Sequence, residues 1–238
     1  GIALGTIIAE WSTVIFAVWL IMRELNSRRG PGSEFWPRSR LLDAAALKKM
    51  LAANRDIMIR TLLLVFSFGF FINQSAQFAD VVLAANHILL QLISFAAFFL
   101  DGYAFVVESL VGSSVGARRR DSFDIAVKRS SILALVTATA LALLLLVFGD
   151  LAVAMLTDLE PVQTAAQGSL FLAAIYIFFS FAAFQLDGVF IGASFTRQMR
   201  NAAFLSIAVF LFAWWILMDR FGVNGLWWAM IIYVAARA

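Results

Sequence analysis

Seven apolar stretches, most of them as long as a membrane crossing, dominate this 238-residue chain. They run roughly over residues 2–22, 57–78, 81–112, 131–149, 165–195, 202–218 and 223–236, and a spanning helix needs about 20 predominantly apolar residues. The stretches are continuously apolar rather than alternating, so each reads as a helix that closes its own backbone hydrogen bonds in lipid. Hydrophobic residues make up 63% of the chain and charged residues 14%, which leaves too little polar surface to clothe a soluble core. The expected fold class is all-α, a polytopic transmembrane helix bundle of about seven spans. With no cysteine and one histidine, Cys-ligated and multi-histidine metal sites are excluded within the chain.

The excess of positive charge is a topology signal. Basic residues crowd into 23–60, from Arg23 to Arg60, into 113–130 around Arg118, Arg119 and Arg120, and after the fifth span at Arg197 and Arg200. Arg237 closes the seventh span. The intervening connections hold Asp80, Asp150, Asp158, Glu160 and Asp219, and of all 18 Lys and Arg residues only Arg220 joins them. The positive-inside rule makes the basic side cytoplasmic. The lipid bilayer of a cell's inner (plasma) membrane is therefore the expected partner, and nucleic acid is not.

The chain opens apolar at Gly1, with neither a charged leader nor a small-residue cleavage site, which argues against a signal peptide. Its first span would start outside, so further helices are expected upstream. On this reading residues 1–22 are the last helix of an N-terminal lobe, 23–56 are a basic cytoplasmic linker, and 57–238 are a C-terminal six-helix lobe. Within the linker, Arg28 to Glu34 is rich in turn formers, and Leu41 to Asn54 suggests a short amphipathic helix.

Two stretches are too long for a straight crossing. Residues 81–112 and 165–195 would measure about 46–48 Å as helices, so each must tilt, bend or project. Both carry one string, Ser94-Phe-Ala-Ala-Phe-Phe-Leu-Asp101-Gly102 and Ser180-Phe-Ala-Ala-Phe-Gln-Leu-Asp187-Gly188, with eight of nine positions identical at an offset of 86. This reads as an internal repeat, a common device of transporter folds.

The acids inside spans are Glu10, Asp101, Glu108 and Asp187. A charge at membrane depth costs at least about 2.5 kcal/mol, so such residues face a bundle interior or a hydrated cavity. His87, Ser94, Asp101 and Glu108 are spaced by seven, as are Ser180, Asp187 and Ser194. Each set drifts only about 20° per step and forms one polar stripe. Asp101 and Asp187 either line a hydrated pathway or hydrogen-bond neighbouring helices. Glu108 reads as interfacial and His87 as a structural hydrogen-bonding residue, while Glu10 stays open between the two roles.

Gly112-Ser113-Ser114-Val115-Gly116 matches the nucleophile-elbow pattern, but that elbow needs a strand-to-helix turn and a nearby histidine. His87 lies 27 residues back on the same span. Close helix packing is the better meaning for this string, and for Gly188 and Gly192. Trp214, Trp215, Trp227 and Trp228 read as an aromatic belt at the outer interface.

Several strings resemble the multidrug and toxic compound extrusion (MATE) family, in its DinF-like branch. They are Asn54-Arg-Asp-Ile-Met-Ile-Arg-Thr61, Leu83-Ala-Ala-Asn-His-Ile-Leu-Leu90, Leu100 to Gly112, Phe184-Gln-Leu-Asp-Gly-Val-Phe-Ile-Gly192 and Met199-Arg-Asn201. The resemblance covers nearly the whole chain and aligns it with the sixth helix and the C-terminal lobe of a twelve-helix fold. It implies alternating access around a central cavity and export of amphipathic or cationic organic compounds against protons or sodium. No cofactor is expected beyond the coupling ion, H+ or Na+. By resemblance Asp187 matches the family's tenth-helix acid, and Asp101 and Glu108 match the eighth-helix pattern. Span 57–78 has no acid past Asp56, only Asn73 and Gln74 in its outer half, so relatives with a seventh-helix glutamate are poor guides.

The expected substrate and ion-coupling residues are thus Asp187, Asp101, Glu108, Gln185 and Asn73, with Asp187 foremost. Arg and Lys look nearly absent from the spans, which favours cationic or neutral cargo. A flippase for lipid-linked precursors, with a more basic cavity, is the nearest alternative, and a non-transporting scaffold subunit the next. An enzyme is not expected, since no nucleophile and base can be brought together.

Overall fold

The structure is a computed structural model that describes residues 2–27 and 43–238. The core of the expected linker, residues 28–42, lies outside the described residues. Among the described residues seven helices form: α1 (Ile2–Ser27), α2 (Ala44–Ser75), α3 (Asp80–Gly116), α4 (Arg120–Leu156), α5 (Glu160–Gln167), α6 (Leu170–Gly192) and α7 (Thr196–Ala236). Six of them, all but α5, are long and apolar enough to cross a membrane. The all-α polytopic bundle expected from the apolar runs is therefore observed. By contacts the chain divides into two units, Gly1–Lys48 and Lys49–Ala238.

The first unit is dominated by α1. Its described side chains from Leu4 to Ser27 are all exposed, Glu10 included. A helix apolar on every side suits lipid rather than water. Thr13 returns its hydroxyl to the Ala9 carbonyl at 2.8 Å, so the side chain adds no unsatisfied donor at that depth.

In the second unit three boundaries differ from the sequence reading. The amphipathic segment before residue 57 is not a separate helix but the first turns of α2, a continuous 32-residue helix. Asp43 starts it, its Oδ1 accepting the backbone N–H groups of Ala45 at 2.9 Å and Ala46 at 3.4 Å, as an N-cap carboxylate does. The second compact unit begins at Lys49, within this helix. The overlong stretch 165–195 is resolved by a break at Gly168–Ser169, which separates the short α5 from the 23-residue α6. Helix α4 extends well beyond 131–149 in both directions.

α7 is a hairpin of two arms. Ser206 Oγ bonds the Ala236 carbonyl at 3.0 Å, although a separation of 30 positions would put them about 45 Å apart in a straight helix. The fold-back is at Gly222, where φ is 56° and ψ −129°, a conformation open to glycine and costly for any residue with a Cβ. The arms at 196–221 and 223–236 restore the two spans read from the sequence.

α3 and α6 run parallel, as two copies of the string set two spans apart should, and they also pack in close contact, which the repeat does not announce. A Cβ on Gly188 would collide with the Ala104 carbonyl, and one on Gly192 with the Glu108 carbonyl. Small residues let membrane helices approach until backbones touch. Gly102, the repeat partner of Gly188, has open space instead, so the two copies of the string are not equivalent in packing. Both helices end alike: Arg119 N–H reaches back to Ser114 O and Phe195 N–H to Phe190 O, with Arg118 and Ser194 at positive φ. These are Schellman caps.

Away from the basic loops, Trp227 is fully buried and donates Nε1 to Asn86 Oδ1 at 3.0 Å, while Asn86 Nδ2 donates to Ser75 at 2.8 Å. Trp227 also meets Phe71 edge-on at 4.9 Å. The belt reading therefore fails for Trp227, which locks α2, α3 and the second arm of α7. Trp215 and Trp228 are exposed as a belt requires.

Candidate functional site

A cavity of about 460 Å³ opens between α2, α3, α6 and the end of α7. Its walls are mainly apolar, with Phe68, Phe98, Phe105, Tyr176 and Phe184 among them. Into this apolar lining project Asp101 and Glu108 from α3 and Asp187 from α6. Ser94 and Ser180 line it too, each donating its hydroxyl to its own helix, Ser94 to Leu90 O at 2.8 Å and Ser180 to Tyr176 O at 2.7 Å. What they present to the cavity is acceptor lone pairs. The seven-residue spacing thus brings the central part of both stripes onto one surface. The stripe ends do not join: His87 is exposed and outside the lining, with no side-chain hydrogen bond among the described residues. Ser194 lies beyond α6 at its cap.

The other expected site residues lie elsewhere. Gln185 is buried on another face of α6, accepting from Ser130 Oγ at 3.0 Å. That bond ties α4 to α6, and no partner for Gln185 Nε2 is found among the described residues. Asn73 is exposed and absent from the cavity wall. Glu108, read from the sequence both as interfacial and as a coupling candidate, borders the cavity.

Two arginines enter the site, Arg60, which the sequence reading placed in a basic loop, and Arg237, which it placed at the close of the last span. Arg60 of α2 forms an ion pair with Asp187 Oδ2, and Arg237 Nη2 donates to the same oxygen at 2.7 Å. Their side chains are 17% and 9% exposed, and that of Asp187 18%. The impression that spans lack basic residues is therefore wrong at the place where it matters. Arg60 and Arg237 each stand at the border of an apolar run, where a long side chain can lay its stem along apolar surface and aim its head elsewhere. That position is the signal that could have flagged them. Asp101 lies within electrostatic reach of both guanidiniums, but among the described residues neither it nor Glu108 is tied up by a hydrogen bond or an ion pair.

A second ion pair lies near the basic loops. Asp56, 5% exposed, accepts from Arg200 Nη1 at 2.8 Å, joining α2 to α7. Among the described residues no group of three His, Cys, Asp or Glu side chains converges closely enough to hold a metal ion.

The MatE family model matches residues 57–215, which run from within α2 to most of the first arm of α7. The chain belongs to the MatE family. It is 33% identical over 245 residues to the DNA damage-inducible protein F of Escherichia coli K12, a match covering all of this chain and 50% of that relative. The chain thus spans about half the length of the curated relative it matches. The match to that relative agrees with the DinF-like strings, two of which, around Asp56 and Arg200, are the ones the buried ion pair brings together.

Proposed function

We propose that this chain forms one wall of an export pathway, through which the whole protein moves amphipathic organic compounds across a membrane by alternating access. Its driving force is a proton or sodium gradient. One observation carries this reading: carboxylates from two parallel helices share a 460 Å³ cavity that is otherwise mainly apolar. Apolar and aromatic walls take up the body of a ligand, and a few fixed polar groups orient it. A carboxylate that binds either the coupling ion or a cationic head group, and not both together, links the two fluxes.

Within this reading Asp101 and Glu108 take the leading role that sequence similarity gave to Asp187. They face the cavity unpaired among the described residues, whereas Asp187 is already matched by Arg60 and Arg237. Gln185 and Asn73 contribute no cavity surface, so Gln185 is assigned to holding α4 against α6. The protein is placed in a plasma membrane with its basic loops in the cytoplasm, on the charge asymmetry alone. The two cavity guanidiniums favour a second reading, a flippase for anionic lipid-linked precursors. It ranks lower because the three cavity carboxylates outnumber the two guanidiniums.

The whole protein, reconstituted into liposomes loaded with a fluorescent monocationic dye, is expected to expel the dye when an opposing proton or sodium gradient is imposed. Release no faster than from protein-free vesicles under both gradients rejects the exporter reading.

A further inference from the structure

The three-residue cluster at Asp187 has a consequence for which ligands the cavity accepts. Arg60 arrives from α2 and Arg237 from the end of α7, and both converge on one carboxylate oxygen of α6. All three side chains are at most 18% exposed, so water screens their charges poorly. Two guanidiniums thus stand against three cavity carboxylates, Asp101, Glu108 and Asp187. One negative charge is left in excess, and it resides on the unpaired acids of α3. A ligand buried in a low-dielectric pocket is favoured when it cancels the residual charge and disfavoured when it leaves one behind.

We propose that Arg60 and Arg237 are specificity-determining residues, tethered cations that occupy Asp187 and so set the cavity to take amphipathic ligands bearing a single positive charge. This rests on reading the cavity as the ligand site. Removing one guanidinium leaves two negative charges in excess and turns the preference to dications. Removing the Asp187 charge leaves none in excess and turns it to neutral ligands. Removing one guanidinium and the Asp187 charge together restores the original balance and the original preference. A merely structural ion cluster has no reason to move selectivity in opposite directions and then back.

The test uses matched aromatic amphipaths of charge zero, one and two, whose Kd is measured on the detergent-purified whole protein. Wild type is expected to prefer the monocation. Arg237→Gln and Arg60→Gln should shift the dication-to-monocation affinity ratio by at least about tenfold toward the dication, the scale of one poorly screened charge. Asp187→Asn should shift preference toward the neutral compound. Arg237→Gln/Asp187→Asn should return to the monocation, and Arg237→Lys should never leave it. The double variant keeps the net cavity charge of wild type and strands one guanidinium rather than two, so it remains informative where Asp187→Asn fails to fold. A double variant that binds with any preference other than that of wild type overturns the proposal. So do folded single variants with unchanged preference. Failure of every protein, wild type included, to bind any of the three compounds instead overturns the cavity reading on which the proposal stands.

Discussion

Asp101→Asn is expected to abolish gradient-driven efflux of monocationic dyes from proteoliposomes while leaving the whole protein folded. Asparagine matches aspartate in shape and keeps an acceptor oxygen, but it neither carries charge nor exchanges a proton. Asp101 is not engaged in a hydrogen bond or ion pair among the described residues, so its replacement breaks no such bond. It removes one of three cavity carboxylates that together outnumber the two guanidiniums by one. Asp187→Asn strands Arg60 and Arg237 with no carboxylate between them, and uncompensated buried charge costs about 3–5 kcal/mol. Lost efflux in that variant therefore has two sources, instability and altered charge, whereas in Asp101→Asn it has one. Dye efflux by Asp101→Asn at near wild-type rates under both proton and sodium gradients removes Asp101 from the mechanism.

Gly192→Leu should cost the whole protein its fold. The branched side chain would have to enter where α6 lies against the Glu108 carbonyl of α3. The obstacle is helix backbone, which cannot rotate aside as a flexible side chain can. Forcing the helices apart also displaces Glu108 and Asp101 from the cavity they share with Asp187. Overpacking alone costs about 1–3 kcal/mol, and loss of backbone contact between α3 and α6 adds to it. Gly102→Leu, aimed into open space, is the control and should purify normally. Gel filtration in mild detergent checks the pair: a monodisperse Gly192→Leu peak matching wild type would show that α3 and α6 do not pack as described.

The contrast between Gly102 and Gly188 marks where the sequence stops being informative. Apolar run length placed the crossings, because a lipid-spanning backbone has few choices. The seven-residue spacing put Ser94, Asp101 and Glu108 on one surface, because helix geometry alone decides which residues share a face. Which residues lie opposite that face depends on packing between distant segments. Arg60 and Arg237 stand 177 positions apart in the chain, and each sits where a topology signal accounts for a positive charge without further cause. The Asp56–Arg200 pair spans 144 positions and was visible only as two separate family-like strings. Trp227 looked like a belt residue because it flanks an outer loop. Its burial follows from the hairpin at Gly222, which folds the second arm of α7 inward against Asn86 and Phe71. The break at Gly168–Ser169 was legible as a glycine–serine pair but was overridden by the apolar run around it.

One cavity carboxylate system serving both the coupling ion and a cationic ligand is the core of the proposed mechanism. It is tested most directly by the Kd of a monocationic dye for the purified whole protein, measured across a range of proton and sodium concentrations. Competition for Asp101 and Glu108 predicts that the dye binds more weakly as one of these ions rises, and that Asp101→Asn blunts the dependence. A dye Kd indifferent to both ions would contradict the account.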